Sequence, residues 1–216
     1  MGEEIGSLAT SRAEEVYRAL RREITQGVRR PNEPLIEVEI AEQLGVSRTP
    51  VRESMQRLAS DGLIVSRRRR WMVYEHSPDE IREHYELRAG LEGWAARLAA
   101  SRATEGQRDE IAELRPPEGA NAEHSVTGRV ETNERFHDRI SAASNNGRLL
   151  QQIQRNRLVH FNQRVAALYS KDDLVLSSAQ HRALVDAILA GDGAGAEAVA
   201  REHIQYSLDL MLDKLY

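Results

Sequence analysis

Residues 39–58 read EIAEQLGVSRTPVRESMQRL, a stretch that predicts two short helices joined by a tight turn. Apolar residues recur at helical spacing up to Leu44, which predicts a first helix over residues 37–44. Gly45 follows directly and can adopt the left-handed conformation that ends many helices. Ser47 or Thr49 can cap a second helix over about residues 48–60, because hydroxyl oxygens accept hydrogen bonds from the N–H groups of a first turn.

The segments on either side of this helix pair extend the prediction. A helix over residues 12–28 precedes the pair, and two short strands over residues 63–65 and 71–74 follow it. The four arginines at positions 67–70 form the turn between the strands. This order predicts a winged helix-turn-helix, in which the second helix of the pair enters the major groove and the hairpin lies along the DNA backbone or minor groove.

The charge is distributed unevenly, which favours nucleic-acid binding despite a net charge of -4. Residues 48–70 hold seven arginines against two acidic residues, whereas residues 79–216 hold 17 basic and 22 acidic residues. A concentrated basic segment is the electrostatic footprint of phosphate contact. Arginine-rich stretches are also often solvated surfaces, so the charge alone is a weak indication.

Composition limits the other classes of protein. The 216 residues include no cysteine, which excludes disulfides and thiolate metal sites. No apolar run approaches the ~20 residues that a bilayer requires. The first eleven residues lack the basic start and the apolar stretch of a signal peptide. We therefore expect a cytoplasmic protein.

The run over residues 39–58 resembles the signature of the GntR superfamily of bacterial transcriptional regulators, LA-x-x-LGVSRTPVRE-x-L-x-x-L. The resemblance implies contacts to bases and phosphates from Arg48 and Arg52, and Thr49 is placed to bond a phosphate. Guanidinium groups suit this role because they donate two hydrogen bonds to O6 and N7 of guanine. Arg57 is expected to face its own domain.

The predicted hairpin is expected to contact phosphates rather than bases. Its sequence departs from the family, because Trp71 stands where a glycine is usual near the tip of the wing. This departure leaves the shape of the wing open. The arginines expected to contact phosphates are Arg67, Arg68, Arg69 and Arg70.

The chain after residue 79 has a helical pattern, with no strand pattern and no internal repeat. Ser77-Pro78 marks the linker, because proline is favoured in the first turn of a helix. We therefore predict a mainly α protein with two domains. Residues 1–77 form a winged helix-turn-helix, and residues 78–216 form an all-α helical bundle.

The second domain resembles the FCD domain, the ligand-binding part of the FadR subfamily of GntR regulators, over about residues 79–210. The resemblance implies a small-molecule effector and a homodimer. Four motifs carry it by their order and spacing: Tyr85-Glu86-Leu87-Arg88 with Leu91-Glu92, Asn133-x-x-Phe136-His137, His181-x-x-Leu184-Val185-x-Ala187-Ile188, and Ala198 through His203-Ile204.

The same resemblance implies a divalent metal site with the ligands Asn133, His137, His181 and His203. Neutral imidazoles suit zinc, nickel or similar ions, and open coordination positions would admit water or an effector carboxylate. Asn133 departs from the aspartate that metal-binding members often have, and its uncharged amide should lower the affinity. The alternative is that the three histidines are pocket or core residues with hydrogen-bond partners.

Arg88 is the candidate effector-binding residue. The family pattern has an arginine near this point that faces the cavity, and a guanidinium fork matches a carboxylate. The alternative is an ion pair with Glu92 one helical turn later. Arg135 and Arg139 are expected to be solvated. Four further histidines are interpreted as surface or packing residues: His76, His84, His124 and His160.

These features predict a ligand-responsive regulator that binds a palindromic DNA operator as a homodimer, responds to a small carboxylic acid and can hold a divalent metal. Two alternatives are a metal-only sensor with the same DNA-binding domain and a metal-dependent hydrolase. The sequence has no HExxH-like motif, and no Ser-His-Asp pattern or glycine-rich phosphate loop stands out, which disfavours the hydrolase. The sequence identifies neither the effector, the operator, the metal nor the direction of regulation.

Overall fold

The computed structural model describes residues 11–118, 125–156 and 166–215. The chain divides into two compact units, one ending at Glu75 and the other beginning at His76. The domain boundary that we proposed from the sequence lies two residues further on, after Ser77. None of the helices within the described ranges is long and apolar enough to cross a membrane.

Three helices form the body of the first unit: α1 (Arg12–Thr25), α2 (Glu37–Leu44) and α3 (Arg48–Ser60). The two helices of the quoted stretch span the predicted residues, and Gly45 ends α2 with a φ of 63°. Ser47 precedes α3 as its N-cap residue, although its side chain makes no capping hydrogen bond. α1 ends three residues earlier than predicted.

One apolar core holds this unit together. Val16, Leu20 and Ile24 recur every fourth residue on α1, and they are buried together with Met55 and Leu58 of α3. Burying a side chain of this size contributes roughly 1.5–3 kcal/mol. The core fixes α3 on α1, so the opposite face of α3 is presented to solvent.

The wing is a three-stranded antiparallel sheet, one strand more than the predicted hairpin. β2 (Ile64–Arg67) pairs with β3 (Arg70–Val73), and β1 (Pro34–Leu35) pairs with the other edge of β3. From the sequence, Pro34 is interpreted as a turn residue after the first helix, and its place in β1 shows that this interpretation is wrong. Proline is tolerated here because β1 is an edge strand, where one face of the backbone needs no ladder partner.

The turn of the wing is shorter than predicted. Arg67 and Arg70 face each other in the ladder, so only Arg68 and Arg69 form the turn. Their φ angles are 49° and 63°. This left-handed conformation costs roughly 1–2 kcal/mol per residue with a side chain. Trp71 lies within β3 and packs against the core, so the tip of the wing consists of the two arginines.

Within the described residues, the regular elements of the second unit are all helices, which confirms the mainly α prediction. The sequence pattern predicts helices over residues 130–143 and 180–189, and these helices begin four and nine residues earlier, at Val126 and Lys171. The sequence pattern also predicts a helix over residues 149–168. Residues 166–168 are helical, and part of the predicted span lies outside the described residues. The helices are α4 (Pro78–Arg102), α5 (Glu105–Glu113), α6 (Val126–Ala143), α7 (Gly147–Asn156), α8 (Lys171–Leu189) and α9 (Gly193–Leu215).

α4 is the central helix of this unit and contacts α6, α7, α8 and α9. It begins with a capping box in which Ser77 and Glu80 bond each other's backbone N–H groups, with Pro78 in the first turn. Alanines on its second half, including Ala96 and Ala99, are fully buried and let the neighbouring helices approach closely. This packing brings α6, α8 and α9 together around α4.

Candidate DNA interface and effector site

The polar face of α3 forms an exposed concave surface on the first unit. Its spacing of three and four residues places five side chains on one helix face. A helix that presents such a face can read base edges in the major groove. Two of these residues, Glu53 and Gln56, were not among the predicted contacts. The surface is lined by Arg48, Thr49, Arg52, Glu53 and Gln56.

Arg48 and Arg52 share one carboxylate, that of Glu37 in the first turn of α2. Arg52 Nη2 lies 3.1 Å from Glu37 Oε2, and Arg48 Nη2 lies 3.4 Å from the same oxygen. The hydrogen bond from Arg52 lowers the pKa of Glu37 below its ordinary value. The Glu37 side chain is 18% exposed, against 58% for that of Arg52. Glu37 therefore restrains two long side chains at the edge of this concave surface.

Arg57 turns toward its own unit. Its guanidinium carbon lies 3.7 Å from the centre of the Tyr17 ring, and the group pairs with Glu14. Tyr17 in turn donates a hydrogen bond of 2.5 Å to Asp61. These contacts join α1 to α3 and keep Arg57 away from the exposed polar face of α3.

The four wing arginines are all exposed. Arg67 donates a hydrogen bond of 3.3 Å to the side chain of Asn32. Arg68 and Arg69 project from the tightest part of the hairpin. Their position at the tip, together with their backbone strain, indicates that side-chain charge rather than turn geometry determines the residue type there.

Replacing Arg68 by asparagine and Arg69 by glycine tests this assignment. Asn-Gly suits a two-residue hairpin turn, so we expect the first unit to gain about 1 kcal/mol of stability. We also expect weaker binding to non-specific duplex DNA. The slope of log affinity against log salt concentration should fall by the amount that corresponds to about two phosphate contacts.

Stability is measured by chemical unfolding in a Trp94→Phe background, where Trp71 is the remaining tryptophan and reports on the first unit. DNA affinity is measured by fluorescence anisotropy at several salt concentrations. An unchanged salt dependence in the double variant would show that these two arginines make no phosphate contacts.

Three histidines from three helices meet in the second unit: His137 of α6, His181 of α8 and His203 of α9. Their ligand nitrogens lie within 4.8 Å of one another, and the Nε2 atoms of His181 and His203 are 3.1 Å apart. Tetrahedral zinc with bonds of about 2.0–2.1 Å separates two ligand nitrogens by roughly 3.3 Å. The spacing therefore fits two ligands of one ion.

Hydrogen bonds orient two of these rings. His137 Nδ1 donates to Glu92 Oε2 and His203 Nδ1 donates to Gln180 Oε1, each over 2.9 Å. A proton on Nδ1 of a neutral ring leaves the lone pair on Nε2. Carboxylate and carbonyl partners of this kind commonly fix metal-binding histidines. The donor set therefore suits a divalent ion.

Burial keeps two of the imidazoles, those of His181 and His203, neutral. It lowers the pKa of His181 to about 3, and the neighbouring His137 and Arg88 act in the same direction. Burial, together with His181 and His137, also holds the pKa of His203 well below its ordinary value. Neutral imidazole is the form that binds metal, so at neutral pH these two rings need lose no proton before they can bind an ion.

Arg88 forms the ion pair with Glu92 that the sequence offered as an alternative. Arg88 Nε lies 2.7 Å from Glu92 Oε1, and both side chains are largely buried. Burial opposes the ionisation of Glu92, but Arg88 and His137 outweigh it and hold the pKa of this carboxyl well below its ordinary value. Glu92 thus joins the arginine to the histidine cluster through its two oxygens.

A cavity of about 510 Å³ lies beside the histidines. Four arginines and a single acidic residue, Glu113, contribute to its lining, and two of the arginines are paired with carboxylates behind it, Arg88 with Glu92 and Arg115 with Asp186. Basic groups still outnumber acidic ones around the cavity, which favours an anionic ligand. The lining comes from α4 (Tyr85, Arg88), from residues 113–117, from α6 (Arg129, Val130, Thr132, Asn133, Arg135, Phe136), from Ala166 and Tyr169, from α8 (Leu174, Ser177, Ser178, His181) and from α9 (His203, Ser207).

Asn133 and Arg135, which the sequence analysis did not place in one site, both line the cavity. Asn133 is half-buried and lies one helical turn before His137. Arg135 is exposed, as expected, and it also contributes to the lining of the cavity. Arg139 instead pairs with Glu110 across 2.7 Å.

The histidines outside the cluster have packing roles where they are described. His76 is buried and packs edge-on against His84, with ring centres 5.5 Å apart. His124 and His160 lie outside the described residues.

Residues 12–72 match the family profile described as bacterial regulatory proteins, gntR family, and residues 83–206 match the FCD domain. The Nta operon transcriptional regulator of Aminobacter aminovorans is 32% identical over 188 residues, which cover 85% of this chain and 87% of that protein. The chain belongs to the GntR family. It is a transcriptional regulator with a helix-turn-helix domain and an FCD domain, and not an enzyme.

Other GntR-family proteins are similar over different extents. The transcriptional repressor RspR of Escherichia coli is 40% identical over 95 residues, which cover 44% of this chain and 42% of that protein. The structure of E. coli McbR/YncC superposes with a TM-score of 0.79 at 24% identity and covers 96% of this chain and 100% of that chain. The superposition with McbR/YncC shows that the two proteins share a fold over nearly the whole length of this chain.

The sequence interpretation did not identify the two residues that accept hydrogen bonds from His137 and His203. Glu92 was considered only as a partner of Arg88, and Gln180 was not considered. The sequence signal for both was weak, because each acts on a histidine of another helix, 45 and 23 residues away along the chain.

Proposed function

We propose that this GntR-family regulator binds a palindromic operator as a homodimer and changes its operator affinity when a small carboxylic acid binds beside a divalent ion. One observation carries the proposal: His181 and His203 belong both to the histidine cluster and to the lining of the cavity. A ligand in the cavity would therefore meet any ion that the cluster holds.

Operator recognition is assigned to the first unit. Arg48 and Arg52 read bases and phosphates from the exposed face of α3, and Thr49 bonds a phosphate. The wing arginines 67–70 neutralise backbone phosphates. The support for this assignment is the exposure of all these side chains on a helix face and a hairpin tip that protein contacts leave accessible.

The ion is assigned to His137, His181 and His203, with Asn133 as a fourth, uncharged ligand one turn from His137. A bound divalent ion would supply a Lewis-acid centre that attracts an effector carboxylate. Glu92 and Gln180 orient two of the rings, and Arg88 holds Glu92 in place through their buried ion pair. Zinc and nickel suit this nitrogen-rich donor set.

The homodimer follows from the two-fold symmetry of the operators that helix-turn-helix dimers read. Leu87 and Trp94 of α4 support it, because they are 48% and 46% exposed and lie two helical turns apart on one face. Exposed apolar faces of this kind mark interaction surfaces. We assign this face to the second copy of the chain.

An operator-release titration tests the proposal and separates it from a metal-only sensor. A high-affinity duplex is first selected from random DNA, and its binding is then measured with metal alone, with organic acids alone and with both. We expect acids to shift the operator affinity only when metal is present. A full response to metal alone would identify a metal sensor, and a response to acid in metal-stripped protein would show that the ion has no part in effector binding.

A further inference from the structure

The cavity is larger than an effector carboxylate requires. Its volume of about 510 Å³ is many times the ~30 Å³ that a water molecule occupies in the liquid. Cavities of roughly 300–1,000 Å³ hold ligands of drug size. A two- or three-carbon acid at the histidines would leave most of the space to water.

The positions of the lining residues on α6 and α8 show how far the cavity extends from the histidines. On α6, Val130 lies seven residues before His137, and on α8, Leu174 lies seven residues before His181. Seven residues are close to two helical turns, so each pair shares a helix face and is separated by roughly 10 Å along the axis. Both helices thus present an aliphatic side chain to the cavity at the same distance from a histidine.

The remaining lining changes character along the same direction. Ser177 and Ser178 on α8 and Asn133 on α6 lie about one turn from the histidines, and they form a polar middle. Pro116 and Pro117, from the loop after α5, add apolar wall, and the carbonyl of Pro117 accepts a hydrogen bond from Arg182, next to His181. Arg129, the neighbour of Val130, also lines the cavity, and its guanidinium bonds the backbone carbonyl of Ala166. The end of the cavity away from the histidines therefore offers aliphatic surface beside a guanidinium that is bonded to protein backbone.

We infer that the effector is an elongated monocarboxylate with an apolar end. Its carboxylate lies at the histidine cluster and Arg88, and its apolar end packs against Val130 and Leu174 about 10 Å away. This span corresponds to six to eight bonds of ~1.5 Å. The inference rests on the proposed function, because it takes the histidine cluster as the end that holds the acid.

The test is a series of straight-chain monocarboxylates from acetate to decanoate, titrated calorimetrically into the full-length regulator. The series is run on zinc-loaded and on metal-stripped protein. We expect the affinity to rise about fourfold for each methylene between roughly five and eight carbons, the range in which the chain reaches the aliphatic surface. In the metal-stripped protein every acid binds more weakly, but the dependence on length is the same.

A matched pair of variants locates the apolar end. Leu174→Asp puts a carboxylate into the aliphatic part of the cavity, so it should remove the gain beyond five carbons and leave propionate binding unchanged. Leu176→Asp makes the same change on the exposed side of α8, outside the cavity lining, and should reproduce the native series.

The outcomes separate this inference from the proposed function. Affinity that is flat or falls beyond four carbons, while short acids still bind the zinc-loaded protein, would overturn the elongated effector and leave the acid site standing. Equal loss in both aspartate variants would also overturn it, because the effect would not come from the cavity. Failure of every acid to bind zinc-loaded protein would overturn both.

Discussion

Replacing His181 by alanine is expected to abolish the stoichiometric binding of one divalent ion by the purified regulator. The variant removes one of three imidazoles whose ligand nitrogens lie within 4.8 Å of one another, and loss of a nitrogen ligand leaves the rest of the cluster with an incomplete set. Even disturbing the outer partners of such ligands costs 10–100-fold in affinity, so we expect a loss of more than about 100-fold. Elemental analysis after dialysis, and titration with zinc and nickel, measure the effect.

Three further variants make this result specific. Gln180→Ala removes the acceptor for His203 Nδ1 without leaving a buried charge unpaired, and should weaken metal binding by about 10–100-fold. Asn133→Asp should strengthen binding, since it adds a negative charge to the set. His84→Ala removes a histidine outside the cluster and should change nothing. Full metal content in the His181→Ala protein would show that His181 is not a ligand.

The helix pair of the first unit was predictable because its signals are local. The apolar spacing of residues 39–58 determines which faces of α2 and α3 are buried, and Gly45 adopts the left-handed φ that its position after Leu44 predicts. The histidine cluster was predictable only through a family resemblance. Spacing along the chain places no more than Asn133 and His137 together, because His181 and His203 lie on different helices.

The contacts that orient the arginines of α3 and the histidines of the cluster could not be predicted from the sequence. Glu37 meets Arg52 across a turn, and Glu92 meets His137 across two helices, so each contact depends on packing angles that no short pattern encodes. The edge strand at Pro34 was missed for a different reason. Two residues are too few to show strand periodicity, and proline is a signal for turns in most contexts.

Replacing Arg52 by alanine is expected to weaken specific operator binding by about 1–3 kcal/mol, roughly 5- to 150-fold. Arg52 is exposed on the face of α3 that also carries Arg48 and Thr49, and a bidentate contact to guanine is lost with its guanidinium. The measurement compares operator with scrambled duplex at fixed salt. Equal operator affinity in variant and native protein would remove Arg52 from the reading surface.

The Glu37→Gln variant shows whether the carboxylate beside Arg52 positions it or only opposes DNA. Loss of a negative charge near the phosphates should tighten binding to every duplex if charge alone matters. Glu37 accepts hydrogen bonds from both Arg48 and Arg52, so we expect a different result. Scrambled DNA should bind more tightly, whereas the ratio of operator to scrambled affinity should fall because the arginine forks lose their fixed orientation.

Glu39→Gln provides the matched control for this experiment. It makes the same change of charge two residues further along α2, at an exposed position. We expect binding to both duplexes to tighten equally, so the ratio of operator to scrambled affinity stays unchanged. A ratio that is also unchanged in Glu37→Gln would mean that the arginines orient themselves on the operator, with Glu37 as a partner only in the absence of DNA. A reduced ratio in Glu37→Gln alone would identify Glu37 as a residue that sets sequence specificity without touching a base.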